Sequence, residues 1–304
     1  MAELALALPG QGSTGSRRMW VLPPLLILAA LFFFPLALIV RQALGGEGAA
    51  LSLHHFFEVL GSRMFVDGLR NTVVIALSAT AGCLVLGFVL SVFIAFTPFP
   101  GATIIARLID TFIALPTFLV ALSFTFIYGS AGMLNESLMA LMHRDLPPVD
   151  FLYSQWGVIL SEVTVYTPFV MRPLLAAFSL IEPAQLEVAS SLGARPLRIV
   201  SRIILPAALP ALVAGGSLCL LLTVNEFGIV LFIGAKDVIT LPLLIYDKAI
   251  QQFDYTTACV IAVVNVALSL ALIVRQALGG EGAALSLHHF FEVLGSRMFV
   301  DGLR

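Results

Sequence analysis

Six runs of this 304-residue sequence are long and apolar enough to cross a bilayer. A helix needs about 20 mostly apolar residues to span the hydrocarbon, where every backbone N–H and C=O must be satisfied within the segment. The runs lie at about Met19–Val40, Thr72–Phe96, Ile104–Tyr128, Trp156–Phe178, Ala207–Gly234 and Thr256–Val274. They predict an all-α polytopic membrane protein with six transmembrane helices. Composition agrees: 60% of residues are hydrophobic and 11% charged, where soluble domains carry about 25% charged residues. Mean hydropathy is +1.03, and a soluble chain this apolar would expose large sticky patches. The net charge of −2 and the lack of a basic run give no reason to expect nucleic acid. Cys83, Cys219 and Cys259 all fall within apolar runs, at no metal-ligand spacing, and read as small hydrophobes.

Orientation follows from the distribution of positive charge. With the N-terminus inside, Arg17, Arg18, Arg107, Arg172, Arg195, Arg198, Arg202, Arg275, Arg297 and Arg304 fall on the cytoplasmic side. Arg41, Arg63, Arg70, Arg144, Lys236 and Lys248 fall on the other, ten against six. The first run follows Arg17-Arg18 and is too long for a signal-peptide core, so it reads as an uncleaved anchor. The expected layout is a cytoplasmic N-terminus at 1–18, a transmembrane domain at 19–274 and a tail at 275–304.

One polar island interrupts the apolar pattern at residues 182–206. Pro183 stands where a short helix would start, because proline suits the first helical turn. Gly193 stands where it would stop, in the left-handed position that ends many helices. A second short helix is expected from Pro196 toward Leu205, where Pro206 interrupts it. Arg195, Arg198 and Arg202 make the island too polar for lipid.

The spacing within the island is Glu187-Val188-Ala189, three residues, Gly193, nine residues, then Ile203-Ile204-Leu205-Pro206. This resembles the EAA loop of ABC importer permeases of the type I, binding-protein-dependent family, with Val188 in place of the first alanine. Longer stretches extend the likeness over about Trp20 to Ser269: LPTFLVALSFTFIYGSAGMLN at Leu115–Asn135, LPPVDFLYS at Leu146–Ser154, and AGGSLCLLLTVNEFGIVLFIGAK at Ala214–Lys236. These look like permeases of 2-aminoethylphosphonate importers. The resemblance implies the type I permease fold with cytoplasmic coupling helices. It implies an ATP-binding subunit docked on the loop, a second permease subunit and a periplasmic binding protein. The docking residues it points to are Glu187, Ala189, Leu192, Gly193, Ile203, Leu205 and Pro206, with Leu186, Ala189 and Leu192 filling a groove on the partner. Gly193→Asp is then expected to abolish transport and spare membrane insertion. No cofactor is expected on this chain, and ATP belongs to the partner. Neither lysine follows a glycine, so the phosphate-binding loop G-x-x-x-x-G-K-[ST] is missing.

Ionisable residues in membrane spans are candidates for function. Glu226 and Asn225 in the fifth run and Glu162 in the fourth either line a translocation path or bond a neighbouring helix, and Tyr166 lies one turn after Glu162. Arg107 and Asp110 read as a structural ion pair. Gly215-Gly216-Ser217 reads as small residues that let helices approach closely, since no histidine lies in any run to activate the serine. An enzyme is therefore not expected. Physics alone leaves the solute open, with iron, thiamine, polyamine or sulfate as alternatives. An ion-coupled secondary transporter would account for the spans and the glutamates, but not for the spacing of the island.

Residues Leu36–Arg70 recur without one change as Leu270–Arg304. Transporter repeats diverge and cover whole helix bundles, so this copy is no such repeat. It stands where such permeases carry a short basic tail, and no function is expected of it.

Overall fold

The computed structural model describes residues 14–45, 52–97, 100–149, 152–234 and 238–278. Residues 1–13 of the expected N-terminal segment, Lys236, the Asp110 side chain and the copied stretch 279–304 lie outside this description. Six helical stretches are long and apolar enough to cross a membrane: Pro23–Ala43, Arg63–Phe96, Thr117–Met142, Gln155–Phe178, Pro196–Val224 and Tyr255–Gln276.

The chain opens with α1 (Thr14–Ala43), α2 (His54–Gly61) and α3 (Arg63–Phe96). The apolar side chains from Leu25 to Phe34 on α1 are mostly exposed, as befits a lipid-facing surface. The Ser62 hydroxyl caps α3 by accepting the Phe65 amide at 3.3 Å. Next come α4 (Ala102–Ile113), α5 (Thr117–Tyr128) and α6 (Met133–Met142). Here the structure departs from the expected span Ile104–Tyr128. Pro116 bars a helical hydrogen bond and pushes Leu115 out of the α region, so the helix breaks between Ile113 and Thr117. The membrane-length stretch instead joins α5 to α6. Buried Asn135 anchors that join, donating to the carbonyls of Gly129 and Val149 at 2.8 Å each and accepting the Val149 amide at 3.0 Å.

The second half holds α7 (Gln155–Phe178), α8 (Pro183–Ser191), α9 (Pro196–Ile199), α10 (Leu205–Val224), α11 (Gly228–Ile233), α12 (Leu241–Tyr246) and α13 (Tyr255–Leu278). The main core lies where α3, α7 and α10 converge, around Cys83, Val158, Val170, Leu174, Ala208 and Cys219. Glycines set that approach. A Cβ on Gly215 would lie 3.0 Å from the Val170 Cα, and one on Gly216 3.0 Å from a Leu84 methyl. Close backbone approach is how helices associate where lipid removes the hydrophobic drive. The Gly-Gly-Ser stretch is thus a packing device, as expected. A second core joins α2, α12, α13 and the start of α3 around Phe65, Leu241, Leu244 and Ile261.

Residues 36–43 and their copies 270–277 are helical in both places, at the end of α1 and near the end of α13. In the first copy, Gln42 donates to the Thr256 hydroxyl at 3.3 Å and the His55 Nε2 lies 3.2 Å from the Thr257 hydroxyl. Both bonds tie the first copy to the start of α13.

Candidate functional site

Two polar features stand out: the island between α7 and α10, and a corner after α10. In the island, four residues separate the end of α7 at Phe178 from Pro183 at the start of α8. Gly193 has φ +80°, donates its amide to the Ser190 carbonyl at 2.9 Å, and is followed by Ala194, which donates to the Ala189 carbonyl at 3.0 Å. These two bonds are the pair that defines a Schellman termination. They explain the spacing between Ala189 and Gly193: two small residues, Ala189 and Ala194, meet around a left-handed glycine. No atom lies within 4 Å of a Cβ placed on Gly193, so its requirement is one of backbone angle and not of space.

The rest of the island differs from expectation in one respect. Pro206 does not interrupt the second helix. A π-helical turn at Val200–Ile204 widens the helix, and the Leu205 amide bonds back to the Val200 carbonyl. Such a turn absorbs the missing N–H of Pro206, so the chain runs as one helix from Pro196 to Val224. Ile203 and Leu205 are half-buried on that helix and Pro206 is exposed. Glu187 is exposed and Ala189 half-exposed. Leu192 is 83% exposed, as is Leu197, and Val188 is 58% exposed. Leu186 instead packs against the protein's own core. The apolar side chains open to a partner are therefore Val188, Leu192 and Leu197, flanked by exposed Arg195, Arg198 and Arg202.

The corner corrects the fifth expected span, Ala207–Gly234. α10 ends at Val224, and the amides of Asn225 and Glu226 fold back onto the carbonyls of Leu222 and Thr223 at 3.2 Å each. Glu226 therefore sits in a turn and not within a helix. It is 6% exposed. One carboxylate oxygen accepts the Ile229 amide at 2.8 Å, and the other accepts the Tyr166 hydroxyl. The first bond serves α11, since a carboxylate satisfies a free N–H in the first turn of a helix. Asn225 beside it is exposed. Its carboxamide donates to the Ser269 hydroxyl at 2.9 Å and accepts from Asn265 at 3.0 Å. Asn265 and Ser269, both on α13, carried no signal beyond being polar residues in an apolar run.

Glu162 behaves differently. It is 0% exposed, and neither carboxylate oxygen has a hydrogen-bond partner among the described residues. It lies in the core between helices and not on an open face. No group of three or more metal-ligating side chains occurs among the described residues.

A bundle of membrane-length helices with a polar, glycine-terminated element projecting between two of them has the architecture of a transport subunit. The chain belongs to the binding-protein-dependent transport system inner membrane component family, whose profile it matches over residues 85–278. It is thus an ABC importer permease, a transport subunit and not an enzyme. It is 63% identical over 254 residues to PhnU of Salmonella typhimurium (strain LT2), provisionally named a 2-aminoethylphosphonate transport system permease protein, covering 84% of this chain and 89% of that one. It is 29% identical to the sulfate transport system permease protein CysT of Escherichia coli (strain K12), covering 82% and 87%. The fold also matches a bacterial ABC transporter involved in import of the acidic polysaccharide alginate, with a TM-score of 0.71 at 19% identity over 84% of this chain and 93% of that one. The MetNI methionine ABC transporter matches with a TM-score of 0.52 at 19% identity, over 69% and 91%.

Proposed function

We propose that this permease carries 2-aminoethylphosphonate through the bacterial inner membrane, with its N-terminus in the cytoplasm. A periplasmic binding protein delivers the solute to this chain and a second permease subunit. An ATP-binding subunit docks on residues 182–206, and ATP is bound and hydrolysed there and not on this chain. The observation that carries the substrate is the 63% identity to PhnU across 84% of the chain, against 29% to a sulfate permease.

The docking element presents Glu187, Leu192 and the Gly193 bend to the partner. Ala189 shapes the termination, and Ile203, Leu205 and Pro206 carry the joint into α10. Exposed apolar side chains ringed by arginines suit a groove on a soluble partner, where a short helix contributes a few anchors. Asn225 with Asn265 and Ser269 lines the translocation path, Glu226 stands next to Asn225, and Glu162 joins them one turn from Tyr166 on α7. A zwitterion with an ammonium and a phosphonate can be passed along carboxamides and hydroxyls without being held by a full opposite charge.

Uptake of labelled 2-aminoethylphosphonate into cells lacking their own permease, supplied with this chain and its companion subunits, tests the reading. Uptake should need ATP and survive collapse of the proton gradient. Transport of sulfate in place of the aminophosphonate would move the substrate, and uptake driven by the proton gradient would sink the assignment of an ATP-driven cycle.

A further inference from the structure

The two helices that leave the docking element at opposite ends meet again inside the membrane. α7 enters the element through the four residues 179–182, and α10 leaves it as one uninterrupted helix from Pro196. They pack together through Gly215 against Val170 and Pro173. Beyond that contact, Tyr166 of α7 donates its hydroxyl to Glu226, just past the end of α10. Tyr166 is 4% exposed and Glu226 6%. Glu226 passes the restraint on, because its other oxygen holds the Ile229 amide at 2.8 Å in the first turn of α11. Asn225, the exposed carboxamide of the corner, is covalently next to Glu226.

We propose that Tyr166 is a positioning residue that couples the docking element to the translocation corner, with Tyr166, Glu226 and the Ile229 amide forming one latch. The proposal rests on the reading of residues 182–206 as the element that an ATP-binding subunit moves. A shift of that element displaces the inner end of α7. Tyr166 lies 12 residues above Phe178, about 18 Å along a helix of 1.5 Å rise per residue. Pro168 and Pro173 stand within that stretch of α7, so the displacement is carried by its packing on α10, where Val170, one turn from Tyr166, and Pro173 meet Gly215, and it reaches the hydroxyl through that contact. The bond then carries it to Glu226, and hence to Asn225 and α11. In a low-dielectric interior a buried carboxylate that loses its donor suffers a large penalty, so Glu226 follows the hydroxyl and does not let go. The latch also explains why the corner folds as a turn in mid-chain: Glu226 must leave the helix to serve both partners. Removing the hydroxyl alone spares the packing of the ring, which sits 6.0 Å from the Phe169 ring between centroids.

The test uses the whole transporter, this chain with its ATP-binding subunit, second permease subunit and binding protein, reconstituted in lipid vesicles. Uptake of labelled 2-aminoethylphosphonate and ATP hydrolysis are measured in parallel. With Tyr166→Phe, solute moved per ATP should fall about fivefold or more, while basal ATP hydrolysis stays within about twofold of the parent. The concentration of loaded binding protein giving half-maximal uptake should not change. Adding Glu226→Leu to Tyr166→Phe should lower solute per ATP no further than Glu226→Leu does alone, since one bond can be broken only once. Parent-like transport per ATP in Tyr166→Phe overturns the proposal. So does a proportional fall of uptake and hydrolysis, which marks Tyr166 as merely structural; the thermal midpoint does not separate the two readings, because the Glu226 oxygen left without its donor lowers it on either. Gly193→Asp runs beside it. If Gly193→Asp is inactive and Tyr166→Phe is normal, the docking reading stands and the latch falls. If Gly193→Asp is normal while the parent transports, the docking reading falls and takes the latch with it.

Discussion

From Pro183 to Ile199 the proposed docking element contains no buried residue, whereas Tyr166, Glu226 and Ile229 at the corner are each less than a tenth exposed. The element owes its shape to backbone chemistry: a proline that starts a helix, a glycine at φ +80° that ends it, and a second proline that starts the next. The corner owes its shape to the side chains of Asn225 and Glu226 and to partners that arrive from α7, α11 and α13. Apart from Leu186 and Ile199, which reach the core, the exposed element has only local bonds to keep it in form. A buried corner has low dielectric on its side, and each of its hydrogen bonds is worth more there. The two regions should therefore break in different ways: the element through loss of function at unchanged stability, the corner through both.

The largest effect is expected at Gly193. A β-branched residue is a genuine outlier at positive φ, and the left-handed conformation costs L-residues about 1–2 kcal/mol. Gly193→Val should unravel the turn that ends α8 and lower uptake at least about tenfold, with the same amount of protein in the membrane and the same thermal midpoint in detergent. Asparagine tolerates that region, and Gly193→Asn should retain most of the uptake. Equal activity in the two variants would show that the bend is not what the partner reads.

Next comes Glu226. Glu226→Leu removes the acceptor of both Tyr166 and the Ile229 amide and leaves two buried donors unsatisfied, at about 1–3 kcal/mol for each such group. The thermal midpoint in detergent should drop by several degrees, and solute moved per ATP should fall below that of Tyr166→Phe to a reduced but measurable level. A variant as stable as the parent would mean that the corner is held by packing alone, and the contrast with the element would disappear.

A smaller effect is expected from the apolar tips of the element. Leu192 and Leu197 are each 83% exposed, so truncation to alanine removes no internal contact of note. Leu192→Ala with Leu197→Ala should weaken retention of the ATP-binding subunit, by about 1–2 kcal/mol for each anchor of this kind, read as its dissociation from detergent-solubilised complexes. The thermal midpoint of this chain alone should not move. A drop in that midpoint would place these leucines in the chain's own fold.

The same contrast explains what could be read from the sequence. The element was legible because its signals are local: Pro183, Gly193 and Pro196 fix angles whatever surrounds them, and apolar runs announce spans by length. Even there, the π-helical turn that carries the chain past Pro206 was missed, because the sequence shows a proline and not the neighbouring carbonyls that can adapt to it. Boundaries failed wherever a run stayed apolar through a break. Ala207–Gly234 reads as one span because Asn225-Glu226 is only two polar residues in a long apolar stretch. What ends α10 is the set of bonds from Tyr166, Ile229, Asn265 and Ser269, three of them more than 35 residues away in sequence. Ile104–Tyr128 failed for the opposite reason, since Pro116 was visible and membrane helices often tolerate proline. Helical spacing groups Leu186 with Ala189 and Leu192, but spacing cannot tell which side of a short exposed helix meets its own core.

The finest comparison lies within the buried polar zone itself, between its two glutamates. Glu226 has a donor on each oxygen, while Glu162, 0% exposed, has none among the described residues. A buried carboxyl without partners lowers stability, and replacing such a group by a hydrophobic side chain of similar volume is often neutral or stabilising. Glu162→Leu should therefore leave the thermal midpoint in detergent unchanged or raise it by a few degrees, where Glu226→Leu lowers it. If uptake survives in Glu162→Leu, the carboxyl takes no part in translocation. If the protein is at least as stable and uptake is lost, the carboxyl is retained for transport at the expense of the fold, and its missing partner belongs to another state of the cycle. A clear loss of stability would instead mean that Glu162 is bonded within the folded protein, and the two glutamates would then be alike.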